Sequence, residues 1–175
     1  MSFESWLAES EQIWYHGSPK KFLDFSSEFL GSGRGHDQEG PGFYFTNDEA
    51  DARGYGGYVL RVHLTLNRVV RLKGRIPDSQ IRKMLDHAPD LADTLTNWDE
   101  NPRIAYRNAV EAIKRYDSPH QAFQTIWYDF YRGHEAQYLK NMVTILGYDG
   151  VVVPKNNGVQ HAIVFDPSKI QIIPS

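Results

Sequence analysis

The run Trp14-Tyr15-His16-Gly17-Ser18 combines the residue types best suited in this chain to holding a flat, amide-bearing ligand. Without a side chain, Gly17 lets a planar group approach its backbone, which can then hydrogen-bond an amide. His16 beside it adds an imidazole that donates or accepts near neutral pH. Two further aromatics, Tyr44 and Tyr55, stand eleven positions apart in the same part of the chain. Other chemistries fare worse. Seven histidines invite a search for metal ligands, but His134-Glu135-Ala136-Gln137-Tyr138 stops one residue short of the H-E-x-x-H pattern, so no metal is expected. Ser18 stands in no G-x-S-x-G elbow, so a serine nucleophile is not expected. With no cysteine, thiolate nucleophiles, zinc ribbons and disulfides are excluded.

These residues need strands to hold them. Gln12-Ile13-Trp14-Tyr15 reads as a short strand with His16 at its end, and Gly42 to Thr46 as a second that carries Tyr44. Tyr58 to Leu66 alternates Val59, Arg61, His63 and Thr65 with Leu60, Val62, Leu64 and Leu66, the pattern of a half-buried strand that Val69 to Leu72 would continue after a turn. Asn47 is placed to cap a short helix over Asp48-Glu49-Ala50, with Tyr55 just past it. Gly150 to Pro154, Ala162 to Phe165 and Ile170 to Ile173 give three more strands, so the two ends of the chain are expected to pair.

Between them the period changes to that of helices. Starts fall at Pro77-Asp78, at Asn101-Pro102 and at Ser118-Pro119, where a capping residue or proline precedes an apolar stripe. A fourth helix carries Ala136, Leu139, Met142, Val143 and Leu146 and ends at Gly147. Trp127, Tyr128, Phe130 and Tyr131 crowd one helix and are read as packing against the others. The chain is therefore expected to be one α+β domain, residues 1–175, with a helical insertion at about 77–147. The glycine-rich loop Gly31 to Gly42 contains G-x-G but opens a strand rather than a helix, which argues against a Rossmann dinucleotide site.

With 175 residues, 41% hydrophobic and 13% aromatic, the chain can build a packed core. The net charge of −3 gives no overall positive field for phosphate backbones, which disfavours a general nucleic-acid binder. No apolar stretch is long enough to span a bilayer, and the start, Met1 to Glu9, reads as a short amphipathic helix rather than a secretory leader. A cytoplasmic location is expected.

In order and residue type, the blocks His16-Gly17, Gly42-Phe43-Tyr44-Phe45 and Gln160-His161-Ala162-Ile163-Val164-Phe165-Asp166 resemble the ADP-ribosyltransferase superfamily, in its diphtheria-toxin and poly(ADP-ribose) polymerase branch. The resemblance covers roughly 12–72 and 147–174, and similarly sited helical insertions occur in small phage and bacterial members. It implies an α+β split β-sandwich, two small antiparallel sheets meeting around an NAD cleft. NAD would be the co-substrate, His16 a partner of its ribose, Gly17 the backbone holding the nicotinamide carboxamide, Ser18 beside it a further cofactor-binding residue, and Tyr44 and Tyr55 the rings stacking nicotinamide. Arg34, in the glycine-rich loop, would pair with the pyrophosphate beneath a lid.

The sequence departs from this family at two places. Ala52 stands where a carboxamide-binding serine is common, and His161, preceded by Gln160, stands where the family's glutamate stabilises a developing cation. Polymer synthesis, which depends on that glutamate, is disfavoured. The resemblance implies a mono-ADP-ribosyltransferase acting on a macromolecule, expected to be a protein rather than nucleic acid, in the role of a phage or bacterial effector. A catalytically silent partner-binding module and an NAD-hydrolysing toxin stay open as alternatives.

Overall fold

A computed structural model describes residues 12–29, 39–96 and 101–174. The expectations placed on Met1 to Glu9, on Arg34 and on the lid around it lie outside the described residues. The fold is mixed α/β, with a curled six-stranded antiparallel sheet and, among the described residues, six α-helices. The strands are β1 (Trp14–Ser18), β2 (Phe43–Thr46), β3 (Tyr58–Leu64), β4 (Gly150–Pro154), β5 (Gln160–Val164) and β6 (Ile170–Ile172). Helix α1 (Glu49–Arg53) joins β2 to β3. Between β3 and β4 lie α2 (Asp78–His87), α3 (Pro89–Leu95), α4 (Pro102–Ile113), α5 (Pro119–Ile126) and α6 (Glu135–Lys140). The last two run on as π-helical turns over Trp127–Tyr131 and Asn141–Ile145.

The sheet order is β4-β5-β2-β1-β3-β6, so strands from the two ends of the chain interleave as expected. Hydrogen bonding runs through all six strands, and the expected two sheets are joined in one. The join is thin. β1 pairs with β3 along its whole length, from Trp14↔Val62 to Ser18↔Tyr58, whereas β1 and β2 share the single rung Tyr15↔Thr46. The sheet therefore has a seam between the halves β4-β5-β2 and β1-β3-β6. It curls, because the chain after β3 reaches the far edge: Val69 makes an isolated parallel bridge to Gly150, and Val70 N–H donates to Gly150 O at 2.9 Å. That bridge replaces the expected continuation of β3.

Alternation along the strands divides the core in two. On one face Val151, Ile163 and Phe165 meet the helices through Ile81, Leu85, Leu91, Ile113, Phe123 and Ile126. Each such aliphatic side chain contributes about 1.5–3 kcal/mol by leaving water. On the other face Trp14, Phe43, Phe45, Val62, Ala162 and Val164 close over Phe25. The helix starts follow their caps: Asn101 Oδ1 accepts from the N–H groups of Arg103 and Ile104, and Ser118 Oγ from that of Gln121. The aromatic cluster packs as expected, with Trp127 and Tyr131 buried, although Tyr128 is exposed.

Candidate active site

The sheet seam exists because β1 and β2 diverge after one rung, and a side chain bridges the gap. His16 sits inside β1, not at its end, since pairing with Leu60, Val59 and Tyr58 carries the strand on to Ser18. His16 Nδ1 lies 2.8 Å from Tyr44 O. A carbonyl only accepts, so Nδ1–H donates, and the neutral ring keeps Nε2 as an acceptor. Burial pushes the imidazole pKa below its ordinary value, against the smaller opposing effect of this hydrogen bond. The ring packs among Phe22, Phe25 and Phe45, at centroid distances of 5.6, 5.2 and 5.5 Å.

Gly17 points the other way, towards α1. A Cβ there would stand 1.8 Å from the Ala52 carbonyl oxygen and 3.1 Å from Tyr55 Cβ. Only glycine lets the end of α1 close onto the strand. Continuing the register past Tyr15↔Thr46 would set Gly17 level with Tyr44 across the diverging strands. Tyr44 shares this helix-side face, packs partly against the larger core, and has its hydroxyl fixed: it donates to Gly40 O at 2.5 Å and accepts from Glu39 N–H at 3.3 Å. Tyr55 is 50% exposed. Burial, followed by the nearby Asp51 charge, raises its phenol pKa, which keeps the hydroxyl protonated.

Along β5 the two neighbouring candidates separate. His161 pairs with Thr46 on the helix side, and its ring stands 6.3 Å from that of Tyr55, edge to face. Its Nε2 is 2.8 Å from Asp51 Oδ2 of α1. Gln160 alternates to the opposite face, and its backbone is clamped by Asn47, whose Oδ1 accepts from Gln160 N–H at 2.7 Å. Asn47 therefore does not cap α1 as expected. Asp48 does, its carboxylate accepting from the N–H groups of Ala50 and Asp51. The Ser18 hydroxyl donates to Lys20 O at 2.7 Å and accepts from Lys20 N–H, closing a local turn.

The structure thus gathers Gly17, Tyr55 and His161 around α1, sets Tyr44 across the seam, and joins His16 to the group only through the Tyr44 carbonyl. Asp51 is an addition that sequence spacing does not show, since 110 positions separate it from His161. Glu39 is another. Lys155 Nζ lies 3.0 Å from its Oε1, and His120 Nε2 lies 2.9 Å from its Oε2, although out of line for a hydrogen bond. The His120 ring and then the Lys155 ammonium hold its carboxyl at about 2, against the cost of burial. The segment that fixes Tyr44 is thereby tied to α5 and to the β4–β5 connection. Among the described residues, no three His, Asp or Glu side chains gather as a metal site. No helix there is long and apolar enough to cross a membrane.

A curled antiparallel sheet with a histidine-glycine strand, a tyrosine strand and a strand that carries His161 is consistent with an ADP-ribosyltransferase-like fold. A sequence model of the family described as ADP-ribosyltransferase in polyvalent proteins matches residues 11–174, and the chain belongs to that family. The family generally uses NAD as its substrate. No curated protein and no solved structure matches the chain.

Proposed function

We propose that this chain transfers a single ADP-ribose from NAD to a protein acceptor. The observation that carries the reading is the position of Tyr55: a half-exposed ring held between the Gly17 backbone and the His161 imidazole, with Tyr44 on the diverging strand. Nicotinamide is a flat ring with a carboxamide, and these groups offer it aromatic surface and backbone hydrogen-bonding atoms. His16, kept neutral by burial, presents Nε2 as an acceptor for a ribose hydroxyl. Holding both ends of the nicotinamide riboside would fix the anomeric carbon for attack as the glycosidic bond lengthens. The negative net charge and the absence of a glutamate at the head of β5 favour a single transfer to protein over polymer growth or a nucleic-acid acceptor.

Incubation with NAD labelled on its adenine side, alone and in a cell lysate, tests this. The expected result is free nicotinamide and protease-sensitive label on protein, both lost in Tyr44→Ala. Nicotinamide release without labelled macromolecule would favour an NAD hydrolase. Intact NAD in both samples would favour a silent binding module.

A further inference from the structure

His161 is not a lone imidazole. Its Nε2 lies 2.8 Å from Asp51 Oδ2, and a carboxylate accepts, so Nε2–H donates and Nδ1 is left as the lone-pair nitrogen. That nitrogen has no hydrogen bond to another described residue, and the side chain retains 16% of its surface against 31% for Asp51. The backbone that carries Asp51 is fixed. It lies in the first turn of α1, where Asp48 caps its N–H, and the end of that helix is pressed onto Gly17. His161 is fixed on its own side by pairing with Thr46 and Val153, and Tyr55 stands at its edge. A carboxylate on one imidazole nitrogen, with the other nitrogen uncommitted beside an exposed aromatic, is how proteins hold a histidine as a base.

We propose that Asp51 is a positioning residue that sets the tautomer of His161, and that His161 Nδ1 takes the proton from the nucleophile that attacks the ribose. This rests on the transferase reading above. In the step, the bond from the anomeric carbon to the nicotinamide nitrogen breaks and its electron pair leaves with nicotinamide. A bond forms from the same carbon to the acceptor oxygen, whose proton passes to Nδ1 and then to water. The pair therefore selects an acceptor that arrives carrying a proton, a side-chain hydroxyl or water. A carboxylate acceptor is ionised already, needs no base and meets the Asp51 charge.

The test uses the full chain as wild type, Asp51→Asn and Asp51→Glu. Nitrogen-15 NMR of the His161 ring, without NAD, is expected to show Nε2–H in the wild type and loss of that single tautomer in Asp51→Asn. Nicotinamide release from NAD, with water as acceptor, is expected to fall about 100-fold in kcat for Asp51→Asn with KM within twofold, and Asp51→Glu to recover part of it. A wild-type ring protonated on Nδ1 overturns the inference, as does an Asp51→Asn enzyme within threefold of wild type in kcat. A wild type that neither binds NAD nor releases nicotinamide overturns the transferase reading and the proton-transfer role with it. The ring spectrum then decides the tautomer assignment separately.

Discussion

His16 reaches across the sheet seam to Tyr44, its Nδ1–H donating to the Tyr44 carbonyl at 2.8 Å where β1 and β2 no longer pair. The side chain replaces a ladder hydrogen bond, so the two halves of the sheet stay joined while their backbones part. This contact requires Nδ1 to be protonated, which the neutral ring and the imidazolium both allow. Burial among Phe22, Phe25 and Phe45 favours the neutral form.

Acid should therefore weaken this protein through His16. Its pKa in the folded chain lies below the ordinary 6.5, so the unfolded chain binds the proton more readily. Stability from this group is present in full above pH 6.5 and is lost as pH falls below it. Thermal melts of wild type and His16→Gln across pH 7.5 to 5 check this. The wild type should lose stability more steeply, and equal slopes would remove His16 as the cause.

Glu39 acts in a lower window. Held at about 2 against an ordinary 4.5, it contributes stability above pH 4.5 that is lost as pH falls towards 2. Its side chain is only 14% exposed, so solvent screening is modest, and the pH-dependent part is about 3 kcal/mol. Glu39→Gln should flatten the acid limb of a urea-denaturation series between pH 5 and 2.5. It should also loosen Tyr44, whose hydroxyl accepts from the Glu39 N–H, and so raise KM for NAD.

Gly17→Ala should be costly for a reason independent of ligand. The new methyl would stand 1.8 Å from the Ala52 carbonyl oxygen, a backbone atom that no side-chain rotation can move away. Separating α1 from β1 should cost about 2–3 kcal/mol of folding stability. It would also shift Asp51 and Tyr55, which flank the same contact. Chemical denaturation measures the first effect, and a loss below 0.5 kcal/mol would mean that α1 is free to move.

How far the sequence predicts these relationships depends on their range. Val151-Val152-Val153 and the alternation from Tyr58 announce their strands because burial is written into adjacent residues. β1 reads as ending at Tyr15 because His16-Gly17-Ser18 has little strand preference, and it is pairing with β3 that carries it to Ser18. Helix α3 goes unread because it begins at Pro89 with no side-chain cap, its Ala88 N-cap offering none. Asn47 and Asp48 are equally good caps by type, and the choice between them is made by Gln160, 113 positions from Asn47. The Asp51–His161 pair is invisible for the same reason: nothing local to either residue marks the other.

Tyr55 separates binding from folding most cleanly. Its ring is half exposed and contributes little to either core cluster, so Tyr55→Ala should change folding stability by less than about 1 kcal/mol. An aromatic stack on a bound ring contributes about 0.5–1.5 kcal/mol beyond the area it covers, so together with that area NAD affinity should fall roughly tenfold or more. Tyr55→Phe keeps the ring and should stay within about threefold of wild type. Calorimetric titration with NAD, run beside thermal melts of each variant, measures both quantities. Unchanged affinity in Tyr55→Ala would place the nicotinamide elsewhere, whereas a matched loss of affinity and stability would make Tyr55 a packing residue.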